Sequence, residues 1–189
     1  MPRKVIGLVG PIASGKGTVI DFLKEKGFKA YSLSDVLKEE VTARGLEVTR
    51  VNCNMVSNDL RGTLGADILA ARTSQIIDRE GYEKVVIDAI RNPSEIEFFR
   101  NKFGAKIIGV VADQKRRYEM FRERGTYTDE IQNFEQFKEL DDREFAQAGE
   151  HKQQIKACLE LSDAIIENEG SVSDLTRKVE NYLTSIGQT

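Results

Sequence analysis

The sequence predicts an α/β fold in which a central five-stranded parallel sheet is covered by helices on both faces and carries two helical insertions. Three observations predict it. Short, almost wholly aliphatic runs recur at Val5–Val9, Lys84–Asp88, Lys106–Val111 and Ala164–Glu167, as expected of strands buried on both sides. Segments with helical spacing separate them, so the strands are joined by right-handed crossovers. A glycine-rich run also stands where the first strand meets the first helix.

Each element has a local reason. Val5–Val9 reads as a buried strand, and Thr18–Lys26 places Val19, Ile20 and Leu23 on one helical face before Gly27 stops it. Ala30–Leu33 is a short second strand, after which Ser34 is expected to cap a helix from Asp35 to about Arg44, closed by Gly45. From Leu46 to Gly81 the pattern is helical with interruptions at Gly62 and Gly65, and holds no strand. Beyond Lys84–Asp88, the run Asn92-Pro93-Ser94-Glu95 combines an N-cap, a proline at the first helical position and an acid three residues after the cap. The helix it opens reaches about Lys102. Asp113 caps the next, which runs to about Arg124 and ends at Gly125.

Thr126–Gly149 is strongly charged, with Phe134, Phe137, Leu140 and Phe145 near helical spacing, and reads as a mobile helical insertion. A helix from about Glu150 to Ser162, the strand Ala164–Glu167 and a helix from about Val172 to Ser185 complete the chain. Ser171-x-x-Asp174 is similar to a capping box with Asp in the acid's place.

At 189 residues the chain suits one domain, 1–189, with insertions at about 34–81 and 125–149. With 28 basic and 31 acidic residues and a net charge of −3, it advertises neither a nucleic-acid nor an anionic-membrane partner, so anion binding must be local. Cys53 and Cys158 lie far apart and the only histidine is His151, which excludes a disulfide framework and a zinc site. The first apolar run is too short for a signal core or a membrane span, and a cytoplasmic protein is expected. The sequence leaves the oligomeric state open.

Gly10-Pro11-Ile12-Ala13-Ser14-Gly15-Lys16-Gly17-Thr18 has the G-x-x-x-x-G-K spacing between a strand and a helix. Glycines let successive N–H groups curl around an anion, the helix adds its positive dipole end, and Lys16 reaches over the outer phosphates. This is the phosphate loop of a three-layer P-loop NTPase fold. Asp88, ending an aliphatic strand, stands where such proteins hold Mg2+. Ala89 follows it, so the water-activating glutamate of hydrolytic motors is missing there and transfer to a bound acceptor is favoured over hydrolysis. Asn101-Lys102 lacks the Asp two places after Lys that reads guanine, which makes ATP the expected donor. Phosphoryl transfer needs converging positive charge, for which Arg61, Arg91, Arg117, Arg122, Arg124 and Arg143 are candidates.

The chain resembles the nucleoside-monophosphate-kinase-like group of P-loop kinases, relatives of adenylate kinase and dephospho-CoA kinase, and looks closest to a small archaeal-type nucleotide-kinase-like family. The resemblance rests on GPIASGKGT, LSDVLKEE, VVIDAIRNPSE and SDAIIENEGSVSDL, which together span most of the chain. It implies ATP and Mg2+ as cofactors and a nucleotide-like acceptor, with helical acceptor-binding and lid insertions closing over both. It puts Lys16 on the donor phosphates within a cradle of Gly10, Ile12, Ala13, Ser14, Gly15, Gly17 and Thr18. It puts Asp35 near the acceptor's hydroxyl or phosphate, Arg91 on its phosphate, and Arg117, Arg124 and Arg143 near the transferring group. Asn168 and Gly170 would lie close to the adenine, and Asp88 would hold the metal. A dephospho-CoA-kinase-like enzyme and an ATP-binding regulatory module with slow hydrolysis are the alternatives. Three departures stand out: Lys38 where adenylate kinases have arginine, Gly17 where a magnesium-binding hydroxyl is common, and no proline before Arg91.

Overall fold

The computed structural model describes residues 3–125, 131–145, 149 and 153–188. Its strands are β1 (Lys4–Val9), β2 (Lys29–Ser32), β3 (Lys84–Asp88), β4 (Lys106–Val111) and β5 (Ala164–Glu167). They form one parallel sheet in the order β2-β3-β1-β4-β5, with Ile6 opposite Val86 on one side and Lys106 on the other. The helices are α1 (Lys16–Glu25), α2 (Leu33–Ala43), α3 (Arg50–Leu64), α4 (Ile68–Glu80), α5 (Pro93–Phe103), α6 (Gln114–Glu123), α7 (Phe134–Phe145), α8 (Ile155–Glu160) and α9 (Val172–Ser185).

Side chains alternate across a strand, so each strand feeds two cores. Ile6 and Leu8 pack with Val19 and Leu23 of α1 and with Leu175, Val179 and Leu183 of α9. Val5 and Val9 face the opposite core, which holds Val41, Leu60, Ile77 and Phe99 from α2, α3, α4 and α5. The result is three layers, helix on sheet on helix. Each of these fully buried aliphatic side chains contributes about 1.5–3 kcal/mol through removal from water. Gly7 makes the second core possible at the middle of β1, because a Cβ there would fall 2.6 Å from Ile107 Cδ1 and 2.7 Å from Ile90 Cδ1.

A third apolar cluster joins Phe121 of α6, Phe137 and Leu140 of α7 and Ile131 to Ala13 in the glycine loop. Tyr118 packs against Phe134 and Phe137, with ring centroids 5.4 and 5.6 Å apart. Burial of these aromatic rings seats α7 beside the loop.

Local structure departs from expectation at three places. α2 begins at Leu33, capped by Ser32, whose hydroxyl accepts from the Ser34 N–H at 3.2 Å; Ser34 is not the cap. Leu33 is 1% exposed, and starting the helix early turns it into the core. α1 likewise starts at Lys16, two residues before the expected Thr18. α8 spans Ile155–Glu160, shorter than the expected helix, and residues 150–152 lie outside the described ones, as do 126–130 and 146–148 of the second insertion. The capping boxes at Asn92 with Glu95 and at Ser171 with Asp174 are both formed.

Candidate functional site

In an open parallel sheet the ligand crevice forms at the strands' carboxyl ends where successive connections diverge. β1 is that strand here, flanked by β3 and β4. A cavity of about 430 Å³ opens there, walled by the glycine loop, by the end of β3 and by α3.

The loop's shape is set by close backbone contacts. Gly10 has φ +152°, and a Cβ there would lie 2.1 Å from the Val110 carbonyl oxygen. Gly15 has φ +105°, and its Cβ would lie 2.4 Å from Asn168 Nδ2. Ala13 and Ala89 adopt φ of 56° and 61°, a left-handed conformation that non-glycine residues rarely take. One follows β1 and the other β3, so backbone strain gathers at both strand ends that border the cavity.

Lys16 opens α1, and its side chain folds back over the loop, donating to the Gly10 and Pro11 carbonyls at 2.7 and 2.9 Å. Desolvation pulls its ammonium down to about 8; Asp88 partly restores it, while Arg91, Arg124 and Arg117 lower it further. Asp88 ends β3, and its Oδ1 is buried without a hydrogen-bond partner among the described residues. Ser14 Oγ is in the same condition. Both residues line this cavity, and a buried polar atom without a partner calls for a ligand or a water.

The structure brings together Gly10, Ile12, Ala13, Ser14, Gly15, Lys16, Gly17, Asp88, Arg91 and Arg124 in the cavity wall. Arg124 stretches over the loop, its Nη2 3.6 Å from where a Cβ of Gly17 would stand. Other expected residues lie elsewhere. Thr18 sits in the first turn of α1, outside the wall. Asp35 is exposed on α2 and pairs with Lys38 at 3.2 Å, while its neighbour Ser34 lines the cavity. Arg143 is exposed on α7 and is not part of the wall. Arg117 is buried and held by Asp141.

Asn168 is 5% exposed and donates to the Ser14 carbonyl at 3.1 Å, so it props the loop from beneath. Arg116 donates to the Asn168 carbonyl at 2.8 Å and also to the Gly170 carbonyl, fixing the turn after β5. Arg50, Asn54, Ser57, Glu144 and Gln153 also line the cavity, and Arg61 joins them. Ser57 and Arg61 are four apart on one face of α3, a spacing visible in sequence. Gln153 carried no sequence signal; only the fold brings it to Arg91.

No described helix is long and apolar enough to cross a membrane. The sheet order, the layers and the loop define a P-loop kinase-like fold. Shikimate kinase from Bacteroides thetaiotaomicron shares it, with a TM-score of 0.60 over 96% of this chain and 98% of that one, at 12% identity. No family model matches the chain. It is 32% identical over 188 residues to a UPF0200 protein of Methanosarcina acetivorans, covering 96% of this chain and 97% of that one. It is 31% identical over 194 residues to a UPF0200/UPF0201 protein of Archaeoglobus fulgidus, of whose length it spans 57%. The chain belongs to the UPF0200 family.

Proposed function

We propose that this protein is an ATP- and magnesium-dependent phosphotransferase that moves a γ-phosphoryl group to a small acceptor bound between Arg91 and α3. The observation that carries the reading is the pairing of Lys16 and Asp88 in one cavity wall: a desolvated ammonium folded over a glycine loop, and a carboxylate with an unsatisfied oxygen at the end of the neighbouring strand. Fold likeness to a shikimate kinase supports a small-molecule acceptor. The sequence resemblance favours a nucleoside monophosphate or a related nucleotide-like molecule.

The buried Oδ1 of Asp88 fits a divalent cation, and among the described residues no cluster of three or more His, Cys, Asp or Glu offers another metal site. Asp88 would hold Mg2+ together with the nucleotide's own phosphate oxygens, and the ion would supply charge neutralisation on the transferring group. The loop amides and Lys16 hold the phosphates, Arg124 adds charge above them, and the insertion seated on Ala13 through Phe121 and Phe137 restricts water.

The test is acceptor-dependent ADP release over a panel of nucleoside monophosphates, deoxynucleotides, dephospho-CoA and small hydroxy acids, each against a no-acceptor control. One acceptor is expected to stimulate release, and Lys16→Ala to lower it by about 10²–10³-fold with the fold intact. Silence across the panel from protein that binds ATP would count against transfer.

A further inference from the structure

On the phosphotransferase reading, a triphosphate in the glycine loop has a fixed direction. Its transferable end faces the acceptor on the β3 side, so its nucleoside end leaves the loop on the opposite side, over β4 and β5. Ala112-Asp113 follows β4 there, and the turn Asn168-Glu169-Gly170 follows β5. The loop touches that turn directly, since Asn168 Nδ2 donates to the Ser14 carbonyl at 3.1 Å. A base on the nucleoside end meets these two connections.

A protein tells adenine from guanine by offering the base edge a partner: an acceptor for the adenine amino group, a donor for the guanine oxygen. Here the partners are already taken. The Asn168 carbonyl accepts from Arg116 Nε at 2.8 Å, and the Gly170 carbonyl accepts from Arg116 Nη2. The Asn168 side-chain amide is turned inward, to the loop and to Met120 Sδ at 3.7 Å. The Glu169 carboxylate accepts from the Asp113 N–H at 2.8 Å, and the Asp113 carboxylate accepts from the Lys115 and Arg116 N–H groups at 2.9 and 3.3 Å. Two of the turn's three carbonyls, its amide and both nearby carboxylates are thus spent within the protein.

Resting on that reading, we propose that Arg116 makes the donor site indifferent to the base, so that the protein takes ATP and GTP alike. Affinity then comes from what the two nucleotides share, the triphosphate in the glycine loop with Lys16 folded over it. A site built to hydrogen-bond a substrate's polar edge rejects an analogue lacking it by about 10⁴-fold. A turn whose acceptors are held by one guanidinium has no such lever. The missing guanine-reading signature removes one way of choosing GTP, and Arg116 removes a way of choosing ATP. Arg116 is a positioning residue, acting through the carbonyls it holds.

The experiment is titration calorimetry of the full chain with ATP, GTP and inorganic tripolyphosphate, each with Mg2+, in wild type and in Arg116→Met. Wild type is expected to bind ATP and GTP with Kd values within about threefold of each other. Arg116→Met keeps an apolar stem and frees both carbonyls, which accept from the adenine amino group and repel the guanine oxygen. ATP should therefore gain on GTP by about fivefold or more. A merely structural Arg116 would move both nucleotides together and leave their ratio unchanged. A wild-type preference for either purine beyond that threefold range, or an unchanged ratio in Arg116→Met, overturns the proposal. Should Arg116→Met fail to fold, Arg116→Lys carries the same readout, because it loses the planar fork that spans both carbonyls. Wild type that binds none of the three ligands removes the phosphotransferase reading and the proposal with it, whereas binding with a base preference removes the proposal alone.

Discussion

Arg117 grips Asp141 with both terminal nitrogens, each at 2.6 Å, across the space between α6 and α7. The same guanidinium donates to the Ala112 carbonyl at 3.1 Å and to the Ile12 carbonyl at 3.2 Å. Every arm of Arg117 is therefore taken up by the end of β4, the glycine loop and α7. It is a strut joining those three parts.

Removing one member of a buried ion pair strands the other charge. Asp141→Ala should lower stability by about 3–5 kcal/mol, and the double substitution Arg117→Met with Asp141→Leu should recover most of that loss. Urea unfolding of the three variants checks it. A loss under about 1 kcal/mol in the single variant, the range of exposed pairs, would mean that the pair is solvated.

Gly15 and Asn168 form a second coupled pair. Gly15→Ala places a Cβ 2.4 Å from Asn168 Nδ2 at a φ of +105°, so it should destabilise by about 1–3 kcal/mol or more and weaken ATP binding. Asn168→Ala loses the bond to the Ser14 carbonyl, worth about 1 kcal/mol, but clears the space. The double variant should be less destabilised than the sum of the singles; strict additivity would place Asn168 away from the loop.

Lys16 predicts a pH dependence. Its ammonium is pulled from 10.5 down to about 8 by desolvation, so above pH 8 it loses charge in the folded protein while remaining protonated in the unfolded chain. In that window the unfolded state binds more protons, and the contribution of Lys16 to stability rises with pH from about 8 to 10.5. Affinity for an anionic nucleotide moves the other way, falling as pH rises through 8. Because bound phosphates raise the ammonium again, binding at pH 8 should take up about half a proton. Calorimetry in buffers of different ionisation enthalpy measures that uptake, and Lys16→Met should abolish it.

Asp88→Asn tests the carboxylate in two ways. It should raise the Mg2+ concentration needed for half-maximal turnover, since it removes the carboxylate proposed to hold the ion. It should also shift the alkaline limb of nucleotide binding to lower pH, because Asp88 is what holds the Lys16 ammonium up against burial. An unchanged limb would show that the two charges do not sense each other.

Much of this architecture was legible in the chain. Lys84–Asp88, Lys106–Val111 and Ala164–Glu167 are strands with the bounds their aliphatic runs suggest, and Asn92 and Ser171 cap helices through the acids three residues on. These signals are local: strand burial writes itself as continuous hydrophobicity, and a cap needs only its own turn. The early start of α2 escaped because Leu33 could equally end a strand or begin a helix, and only the core position it fills decides between them.

What the sequence determined by itself is the α/β layering, the glycine loop and the acid at the end of the third strand, each encoded within a few neighbouring residues. What only the tertiary structure decided is which charges meet: Arg61 with Glu95 across 34 positions, Arg117 with Asp141 across 24, Arg91 with Gln153 across 62, and Asp35 turned outward to Lys38. Periodicity tells which face of a helix is apolar, but a charged side chain finds its partner through the packing of whole elements. The candidate site is accordingly a loop readable in the sequence, set against a wall of arginines whose partners the fold chose.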